Sequence, residues 1–309
     1  MKYVGIDIGG MTIKGGIVDE KGNILARKVV VTSPGKEDFL IVQDIANLIE
    51  DLVKDCKDEI EGIGIGCPGS IYDEKGIVRY SCNINFRNTP MARMIAEKTQ
   101  IKNVKLSNDA NCAALGETMF GAGNGAKNSV MVTLGTGVGT GIVADGKLIT
   151  GNRSAGAEGG HIQINLGGAV CGCGKKGCLE QYASATGIVR MAKKLLASDD
   201  RETTLKNVSE LTAKDIFDAA KAGDAVAKEL VEKLGKVLGN ALANVACVVN
   251  PEIIVIGGGV SKAGSILIDV IQKHYVETTF HACRKAEFAL ATLGNQAGMY
   301  GCVQMLLDM

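Results

Sequence analysis

The sequence predicts an α/β protein of two lobes built on one plan, with a cleft between them. Strand patterns followed by helix patterns occur twice along the 309 residues, which is typical of α/β layers. The stretch at 4–19, V-G-I-D-I-G-G-M-T-I-K-G-G-I-V-D, resembles the stretch at 130–145, V-M-V-T-L-G-T-G-V-G-T-G-I-V-A-D. Each lobe is therefore expected to open with a β-hairpin that turns on glycine.

The first half of the chain begins as a meander. Residues 2–8 alternate in the manner of a strand, Gly9 and Gly10 turn the chain, and a second turn follows at 19–23. Apolar residues at helical spacing then occupy 36–54. The other elements predicted here are strands near 14–19, 24–32, 60–66 and 103–107, and helices at about 89–99 and 110–120.

The second half is richer in helix. After the repeated hairpin and a cysteine-rich stretch, helices are predicted at about 179–198, 213–221 and 223–248, and from near Ser261 or Ala263. Strands are predicted at 252–256 and 286–291, before a last helix at about 295–308.

The boundary between the lobes is predicted near 118–128, where the run G-A-G-N-G-A-K-N is typical of a linker. We expect a smaller N-terminal lobe of residues 1–118, closed by a C-terminal helix in 296–309. The larger lobe is expected to comprise residues 119–295.

Composition excludes several classes of function. Lysine plus arginine number 34, as do aspartate plus glutamate, so charge gives no reason to expect a nucleic acid or an anionic membrane as partner. The sequence has neither a membrane-spanning apolar run nor an N-terminus typical of a signal peptide. The cysteines outside the cysteine-rich stretch are expected to be free buried thiols in a reducing cytoplasm: Cys56, Cys67, Cys82, Cys112, Cys247, Cys283 and Cys302.

The cysteine-rich stretch at 158–180 predicts a metal site. His161 precedes three cysteines spaced C-x-C-x4-C, at Cys171, Cys173 and Cys178. One imidazole and three thiolates suit a closed, structural Zn²⁺ site, and Gly172, Gly174 and Gly177 are expected to supply the sharp turns. Reactive or disulfide-linked thiols are the alternative, although C-x-C geometry strains a disulfide.

Two carboxylates flank this stretch, Glu158 before the histidine and Glu180 after the last cysteine. Because an imidazole has two nitrogens, His161 could hold zinc with one and offer the other to a ligand. The hypothesis is a polar wall in which Glu158, His161 and Glu180 bind hydroxyls of one small ligand. Two solvated acids beside a zinc site are the alternative.

Three glycine-rich turns follow strand patterns and predict phosphate binding. Glycine lets backbone N–H groups approach phosphate oxygens closely. None of the turns is a Walker A loop, but three together favour a nucleoside triphosphate over tight hairpins alone. The residues assigned to these turns are Gly9, Gly10, Thr12, Gly135, Thr136, Gly137, Gly257, Gly258 and Gly259.

Two carboxylates stand where strands end. Asp7 precedes the first turn and could orient the water shell of Mg²⁺, while Lys14 either pairs with a phosphate or is solvated. Asn108 and Asp109 lie where a strand passes into a helix. Asp109 is either only the N-cap of that helix or a general base for a sugar hydroxyl.

Taken in order, these motifs resemble those of the ROK family of bacterial sugar kinases and sugar-responsive repressors. The resemblance spans essentially the whole chain and is greatest for ATP-dependent glucokinases. It rests on D-I-G-G-M-T-I-K (7–14), G-C-P-G (66–69), N-D-A-N (108–111), L-G-T-G-V-G-T-G (134–141), E-G-G-H (158–161), C-G-C-G-K-K-G-C-L-E (171–180) and I-G-G-G-V-S (256–261).

The resemblance implies a two-lobed actin-like, ribonuclease H-like ATPase fold, a homodimer or tetramer, and transfer of phosphate from MgATP to the 6-hydroxyl of glucose. It implies that Asp109 is the catalytic base and that His161 and the three cysteines hold zinc. The residues implied to contact or neighbour the sugar are Gly69, Asn108, Glu158, His161 and Glu180.

One departure from the family pattern concerns the phosphate donor. Met11 stands where the family usually has threonine, so Thr12 becomes the hydroxyl of the first turn and a donor other than ATP stays open. Another sugar is the main alternative substrate, such as N-acetylglucosamine, N-acetylmannosamine, mannose, fructose or allose. Repressors of the family carry a helix-turn-helix segment before the first phosphate motif, whereas only six residues precede Asp7 here. A sugar-sensing protein or repressor is therefore a distant alternative.

Overall fold

The structure is a computed structural model that describes residues 1–33, 35–81 and 84–307. The strands are β1 (Lys2–Ile8), β2 (Thr12–Asp19), β3 (Ile24–Val31), β4 (Ile60–Cys67), β5 (Ser70–Tyr72), β6 (Ile77–Tyr80), β7 (Arg87–Thr89), β8 (Val104–Asn108), β9 (Ser129–Leu134), β10 (Val138–Ala144), β11 (Lys147–Leu148), β12 (Ile253–Gly257) and β13 (Glu287–Leu290). The α-helices are α1 (Asp38–Val53), α2 (Met91–Thr99), α3 (Asp109–Phe120), α4 (Glu180–Ala183), α5 (Ala185–Leu196), α6 (Ala213–Lys221), α7 (Ala225–Val249), α8 (Ser265–Thr278) and α9 (Ala297–Leu307).

Two five-stranded sheets share one plan. The first has the order β3-β2-β1-β4-β8 and the second the order β11-β10-β9-β12-β13. In the first, β1, β2 and β3 are antiparallel neighbours, whereas β4 is parallel to β1 and to β8. In the second, β12 is parallel to both β9 and β13. The predicted duplication, in which each sheet contains a glycine-turned hairpin, is confirmed.

A small antiparallel sheet of order β5-β6-β7 was not predicted. Its strands have only three or four residues each, which is too short for the alternation of apolar residues to stand out.

The first sheet is covered on both faces. Alternate residues of β1 on one face, Val4, Ile6 and Ile8, join the core that includes the buried residues of α1. On the other face Tyr3 packs with Met299 and Val303 of α9. This period of two is what a strand buried on both sides requires.

Glycine allows α9 to approach this sheet closely. A Cβ on Gly64 of β4 would lie 1.9 Å from the carbonyl oxygen of Cys302, and one on Gly5 of β1 would lie 2.4 Å from that of Met299. The same helix meets α3, where a Cβ on Gly301 would lie 1.6 Å from the carbonyl oxygen of Cys112. Any larger residue at these positions would force the backbones apart.

The chain forms two compact units. The first contains Met1–Ala126, Gly141–Ala157 and Thr292–Met309, and the second contains Lys127–Thr140 and Glu158–Ala291. The division into lobes of 1–118 with 296–309 and of 119–295 stays a prediction.

One predicted element differs from the structure. The single helix predicted at 179–198 is two helices, because Ser184 is extended and its hydroxyl accepts the N–H of Gly187 to begin α5. The glycine-rich run at the predicted boundary forms hydrogen-bonded turns, in which N–H groups of Gly121 and Gly123 donate to the carbonyl of Glu117. A run rich in glycine can be tightly held when its own backbone is the donor.

The cysteines outside the cysteine-rich stretch are free wherever the structure describes them. Cys67, Cys112, Cys283 and Cys302 are buried as predicted. Cys56 is only half-buried and Cys247 is exposed, so the prediction of burial is wrong for these two. Cys82 lies outside the described residues.

Candidate functional site

In the first unit, the predicted residues meet at the carboxyl ends of three parallel strands. Strands β1, β4 and β8 are neighbours, and the register pairs Asp7 with Gly66 and Cys67 with Asn108. The loop with Gly69 leaves β4 at this same edge, where open α/β sheets commonly bind their ligands.

Asn108 fixes this edge through three hydrogen bonds. Its Oδ1 accepts the N–H groups of Ala110 and Asn111 at 2.9 and 3.3 Å, which makes it the N-cap of α3. Its Nδ2 donates to the carbonyl oxygen of Gly69 at 3.1 Å. Gly69 has φ +111°, which favours glycine there.

Asp109 is the first residue of α3 and is half-buried. Because Asn108 is the N-cap, the interpretation of Asp109 as only the cap is wrong. The Asp109 Oδ1 accepts the N–H of Ala110 at 3.0 Å. The carboxylate is thus held at the positive end of the helix dipole.

Asp7 pairs with Lys14, its register partner across the first hairpin. The Lys14 Nζ lies 3.3 Å from the Asp7 Oδ2, and the Asp7 side chain is 16% exposed. Burial raises the pKa of Asp7, although the Lys14 ammonium opposes that shift. Gly298 leaves the room for this carboxylate, since a Cβ there would lie 2.7 Å from the Asp7 Cγ.

The first glycine turn is closed by its own backbone. The Gly9 N–H donates to the Thr12 carbonyl at 2.9 Å, and the Thr32 hydroxyl donates to the Gly9 carbonyl at 2.8 Å. Met11 points away from this packing, with 82% of its surface exposed. The structure therefore accommodates the family departure at Met11 without disturbing the turn.

Cys67 lies between the two carboxylates and was not assigned to the site from the sequence. Burial raises the pKa of its thiol well above the usual value, and the charges of Asp109 and then of Asp7 add to this shift. Cys67 ends β4, which lies between β1 and β8, the strands that lead to Asp7 and Asp109. That position at a strand end is the sequence signal that could have identified it.

In the second unit, the four predicted zinc ligands come together. One ligand atom from each of His161, Cys171, Cys173 and Cys178 lies within 4.8 Å of all the others. The His161 Nδ1 is 3.6 Å from the Cys171 Sγ, and the Cys173 and Cys178 Sγ atoms are 3.6 Å apart.

These distances fit a tetrahedral zinc site. With Zn–N and Zn–S bonds of about 2.05 and 2.3 Å, tetrahedral angles put nitrogen about 3.6 Å from sulfur and sulfur about 3.8 Å from sulfur. Gly174 and Gly177 have positive φ as expected for the turns, whereas Gly172 does not. The donor set and its spacing therefore suit a closed Zn²⁺ site.

The thiols of the cluster differ in their pKa. Burial raises the pKa of Cys178 to about 12, while the N–H of Lys175 is the main cause that lowers the pKa of Cys173. Three neighbouring thiolates would need a compensating positive charge, which a bound zinc ion would supply.

Glu180 links this cluster to the second glycine turn. Its Oε2 accepts the N–H of Val138 at 3.2 Å, and its Oε1 lies 3.8 Å from the Cys171 Sγ. A Cβ on Gly137 would lie 2.2 Å from the Glu180 Oε2, so a larger residue there would displace this carboxylate.

Glu158 precedes one short 3₁₀ turn, Gly159–His161, and His161 ends it. The His161 N–H donates to the Glu158 carbonyl at 3.0 Å. The Glu158 side chain is exposed. Since the His161 Nδ1 faces the thiols, its Nε2 is the nitrogen that remains for another partner. Binding of sugar hydroxyls by Glu158, His161 and Glu180 stays a prediction.

The second and third glycine turns line one cavity of about 540 Å³ in the second unit. Gly135, Thr136 and Gly259 contribute to its wall, whereas Gly137, Gly257 and Gly258 do not. Gly258 has a structural role instead, because a Cβ there would lie 2.5 Å from the Leu134 carbonyl oxygen.

The sequence did not identify the rest of this cavity. Phe217 and Val260 give it apolar surface, and Lys262 brings an ammonium group. The Lys214 ammonium also lies there, paired with the carboxylate of Asp218 in the same wall. Such a mixture of flat apolar surface, cations and turn backbone suits a nucleotide. These residues come from α6 and the turn after β12, which the sequence does not show to be close.

No described helix is long and apolar enough to cross a membrane.

Comparison with known proteins gives consistent matches over the full length. The ROK family profile matches residues 3–309. A glucokinase of Halalkalibacterium halodurans is 43% identical over 307 residues, which cover 97% of this chain and 93% of that protein. A xylose repressor of Caldicellulosiruptor bescii is 30% identical over 99% of this chain and 78% of the repressor.

A solved structure of similar fold is a glucokinase of Streptomyces griseus in complex with glucose and AMPPNP. It is 35% identical, with a TM-score of 0.79 over 99% of each chain.

Proposed function

Since this chain belongs to the ROK family, we propose that it is a sugar kinase that transfers the γ-phosphoryl group of MgATP to the 6-hydroxyl of glucose. The observation that carries the proposal is the edge where β1, β4 and β8 end. It places Asp7, the Gly69 loop and the Asn108–Asp109 pair together. The identity to a glucokinase, 43% over nearly the whole chain, supports glucose as the substrate.

Asp109 is the proposed general base. A carboxylate at the start of a helix is fixed in position, and the Asn108 cap and its bond to Gly69 hold the helix and the neighbouring loop in register. In the proposed reaction Asp109 accepts the proton of the 6-hydroxyl as that oxygen bonds to phosphorus. ADP is the leaving group, so the balance of atoms needs no further reactant.

The cavity of the second unit is the proposed nucleotide site. Phe217 and Val260 offer apolar surface to a purine, and the backbone at Gly135 and Thr136 is open to phosphate oxygens. The turn at Gly9, Gly10 and Thr12 and the side chain of Lys14 are proposed to contact phosphate as well. Asp7 is proposed to orient the water shell of Mg²⁺, and this ion neutralises phosphate charge when it is bound.

The zinc cluster is proposed to be structural and to support the sugar-binding residues. His161 and the three cysteines would hold Zn²⁺, which leaves the His161 Nε2 for a hydroxyl. Glu180 is held by Val138 and Cys171, so its carboxylate is positioned in advance. We propose Gly69, Asn108, Glu158, His161 and Glu180 as the residues around the sugar.

A hexose panel with MgATP tests this function through coupled detection of ADP. Glucose is expected to give the highest kcat/KM. Asp109→Asn is expected to lower kcat by about 10²–10⁴ while the KM for sugar changes little. Asp145→Asn, at an exposed turn in the described chain, is the matched control and is expected to keep wild-type kcat.

The outcomes separate the alternatives. A higher kcat/KM for another sugar would identify that sugar as the substrate instead of glucose, and the proposal of a sugar kinase would stand. Sugar binding without ADP release would favour a sugar-sensing protein instead. Polyphosphate should be tested beside ATP, because Met11 replaces the usual hydroxyl of the first turn. A homodimer or tetramer is also proposed, and light scattering tests it.

A further inference from the structure

Glu117 is a buried carboxylate that the proposed reaction does not use. It lies on α3, two turns after Asp109, and its side chain is fully buried, with 0% exposed. It makes no ion pair with any lysine, arginine or histidine of the described chain. Burial of such a group is costly unless hydrogen bonds replace its water, so its partners show what it holds.

Those partners belong to two separate segments of the chain. The Oε1 accepts the N–H of Leu293 at 2.7 Å. The Oε2 accepts the N–H of Ala122 at 3.1 Å and the N–H of Thr292 at 3.0 Å, with the Thr292 hydroxyl at 3.4 Å. One side chain therefore joins the turn after α3 to the segment that leads into α9.

The main chain of Glu117 adds to the same junction. Its carbonyl oxygen accepts the N–H groups of Gly121 and Gly123 at 3.2 and 2.8 Å. A Cβ on Gly121 would lie 2.1 Å from the Glu117 Oε2, so a larger residue there would push this carboxylate out of place. Three successive N–H groups, at 121, 122 and 123, thus converge on this one residue.

The two segments have a shared place in the chain. The first unit ends one of its stretches at Ala126, just after the turn, and begins its last stretch at Thr292. Glu117 therefore holds, inside the first unit, the segment before the chain first leaves that unit and the segment where it returns for the last time. Between them α3 and α9 pack backbone to backbone, since a Cβ on Gly116 would lie 2.1 Å from the Ala297 carbonyl oxygen.

We propose that Glu117 is a positioning residue, which fixes the leaving and returning segments to α3 and so holds the helix that presents Asp109. The N-terminal end of α3 is fixed by the Asn108 cap, and Glu117 fixes its C-terminal end. A base displaced by a fraction of an ångström loses rate without losing substrate affinity. The proposal rests on Asp109 being the general base of the proposed kinase.

Glu117→Gln is the first variant to test. An amide has one acceptor oxygen where the carboxylate has two, so at least one of the three N–H groups loses its partner. We expect kcat to fall about tenfold or more, with the KM values for sugar and ATP within about twofold of wild type. Amide hydrogen exchange at Ala122, Thr292 or Leu293 should become at least about tenfold faster.

Two controls bracket this variant. Glu97→Gln removes an exposed carboxylate of α2, which forms an ion pair with Arg93 at 3.8 Å, and should leave kcat unchanged. Thr292→Val removes the hydroxyl but keeps the N–H that is the shorter donor to Glu117. The kcat of Thr292→Val should stay within about twofold of wild type. If Glu117→Gln does not fold, Glu117→Asp keeps both oxygens and withdraws them by one methylene, and it should give the same split.

A folded Glu117→Gln enzyme with wild-type kcat would overturn the proposal, even if its melting temperature is lower. A change in KM alone would also overturn it, because that would place Glu117 in substrate binding. Hydrogen exchange does not depend on the reaction. If wild-type protein phosphorylates no sugar, the proposed function fails, yet faster exchange at these amides would still identify Glu117 as the junction.

Discussion

Asn108→Ala should destabilise the protein by about 2 kcal/mol. The side chain makes three hydrogen bonds, two as the N-cap of α3 and one to the Gly69 carbonyl. Loss of a cap costs about 1 kcal/mol. Loss of a side-chain hydrogen bond to a partly buried carbonyl costs about 1 kcal/mol more. Together they lower the folding equilibrium constant about thirtyfold.

A graded series separates the two contributions. Asn108→Ser keeps an acceptor for the cap but is too short for Gly69, so it should lose about 1 kcal/mol. Asn103→Ala is the matched control, because the Asn103 Nδ2 also donates to a main-chain carbonyl, that of Glu61 at 3.2 Å, but caps no helix. That variant should lose about 1 kcal/mol or less.

Urea denaturation followed by circular dichroism measures these differences. The slope of the transition should be unchanged, since the surface exposed on unfolding is the same. The variants with Ala and Ser at position 108 should also raise the KM for sugar, because the Gly69 loop loses its anchor to α3. If Asn108→Ala lies within about 0.5 kcal/mol of wild type, the capping account of this edge is refuted.

Three further predictions concern zinc, pH and the nucleotide cavity. Mass spectrometry of the native protein should find one zinc ion per chain. Cys173→Ser should lose that ion, whereas Cys247→Ser, at an exposed cysteine, should retain it. Burial raises the pKa of Asp7, so the folded state binds a proton more tightly than the unfolded state. Stability contributed by this group should therefore fall as pH rises from about 4 through the folded pKa. Asp7→Asn should remove this dependence of stability on pH and should also lower kcat. If the dependence is unchanged in the variant, Asp7 is not its source. Gly135→Ala adds a methyl group that meets no protein atom within 4 Å but enters the cavity, so it should raise the KM for ATP about tenfold with little loss of stability. Gly172→Ala, equally unhindered, should alter neither the KM for ATP nor the stability. If both variants have the same KM for ATP, Gly135 does not belong to the proposed nucleotide site.

Much of the fold could be predicted because it depends on local patterns. The two glycine-turned hairpins, and helices such as α6 and α7, follow from apolar periodicity and from caps at Thr212 and Asp224. The break at Ser184 was missed, because a serine inside an apolar helical pattern is equally compatible with a helix interior. Which of the two occurs depends on the Gly187 N–H that its hydroxyl accepts, and spacing does not reveal that.

The candidate site divides in the same way. The predicted zinc ligands are encoded within 18 residues, so sequence spacing alone brings them together. The proposed nucleotide cavity combines turns with Phe217 of α6, and only the packed chain shows that these are neighbours. Glu117 illustrates the limit most clearly, because a glutamate in a helix is normally solvated. Its burial depends on donors 175 and 176 residues further along the chain.

The repeat itself shows why sequence similarity stops where it does. The two sheets agree in the order of all five strands, yet the sequences agree only over the first hairpin of each. In a buried strand many apolar residues serve equally well, so similarity outside the turns can disappear without changing the fold. At the turns the backbone itself must come close to another group, as at Gly258 beside the Leu134 main chain, and there few residues other than glycine fit. The glycine motifs are therefore the part of the duplication that the chemistry of the site retains.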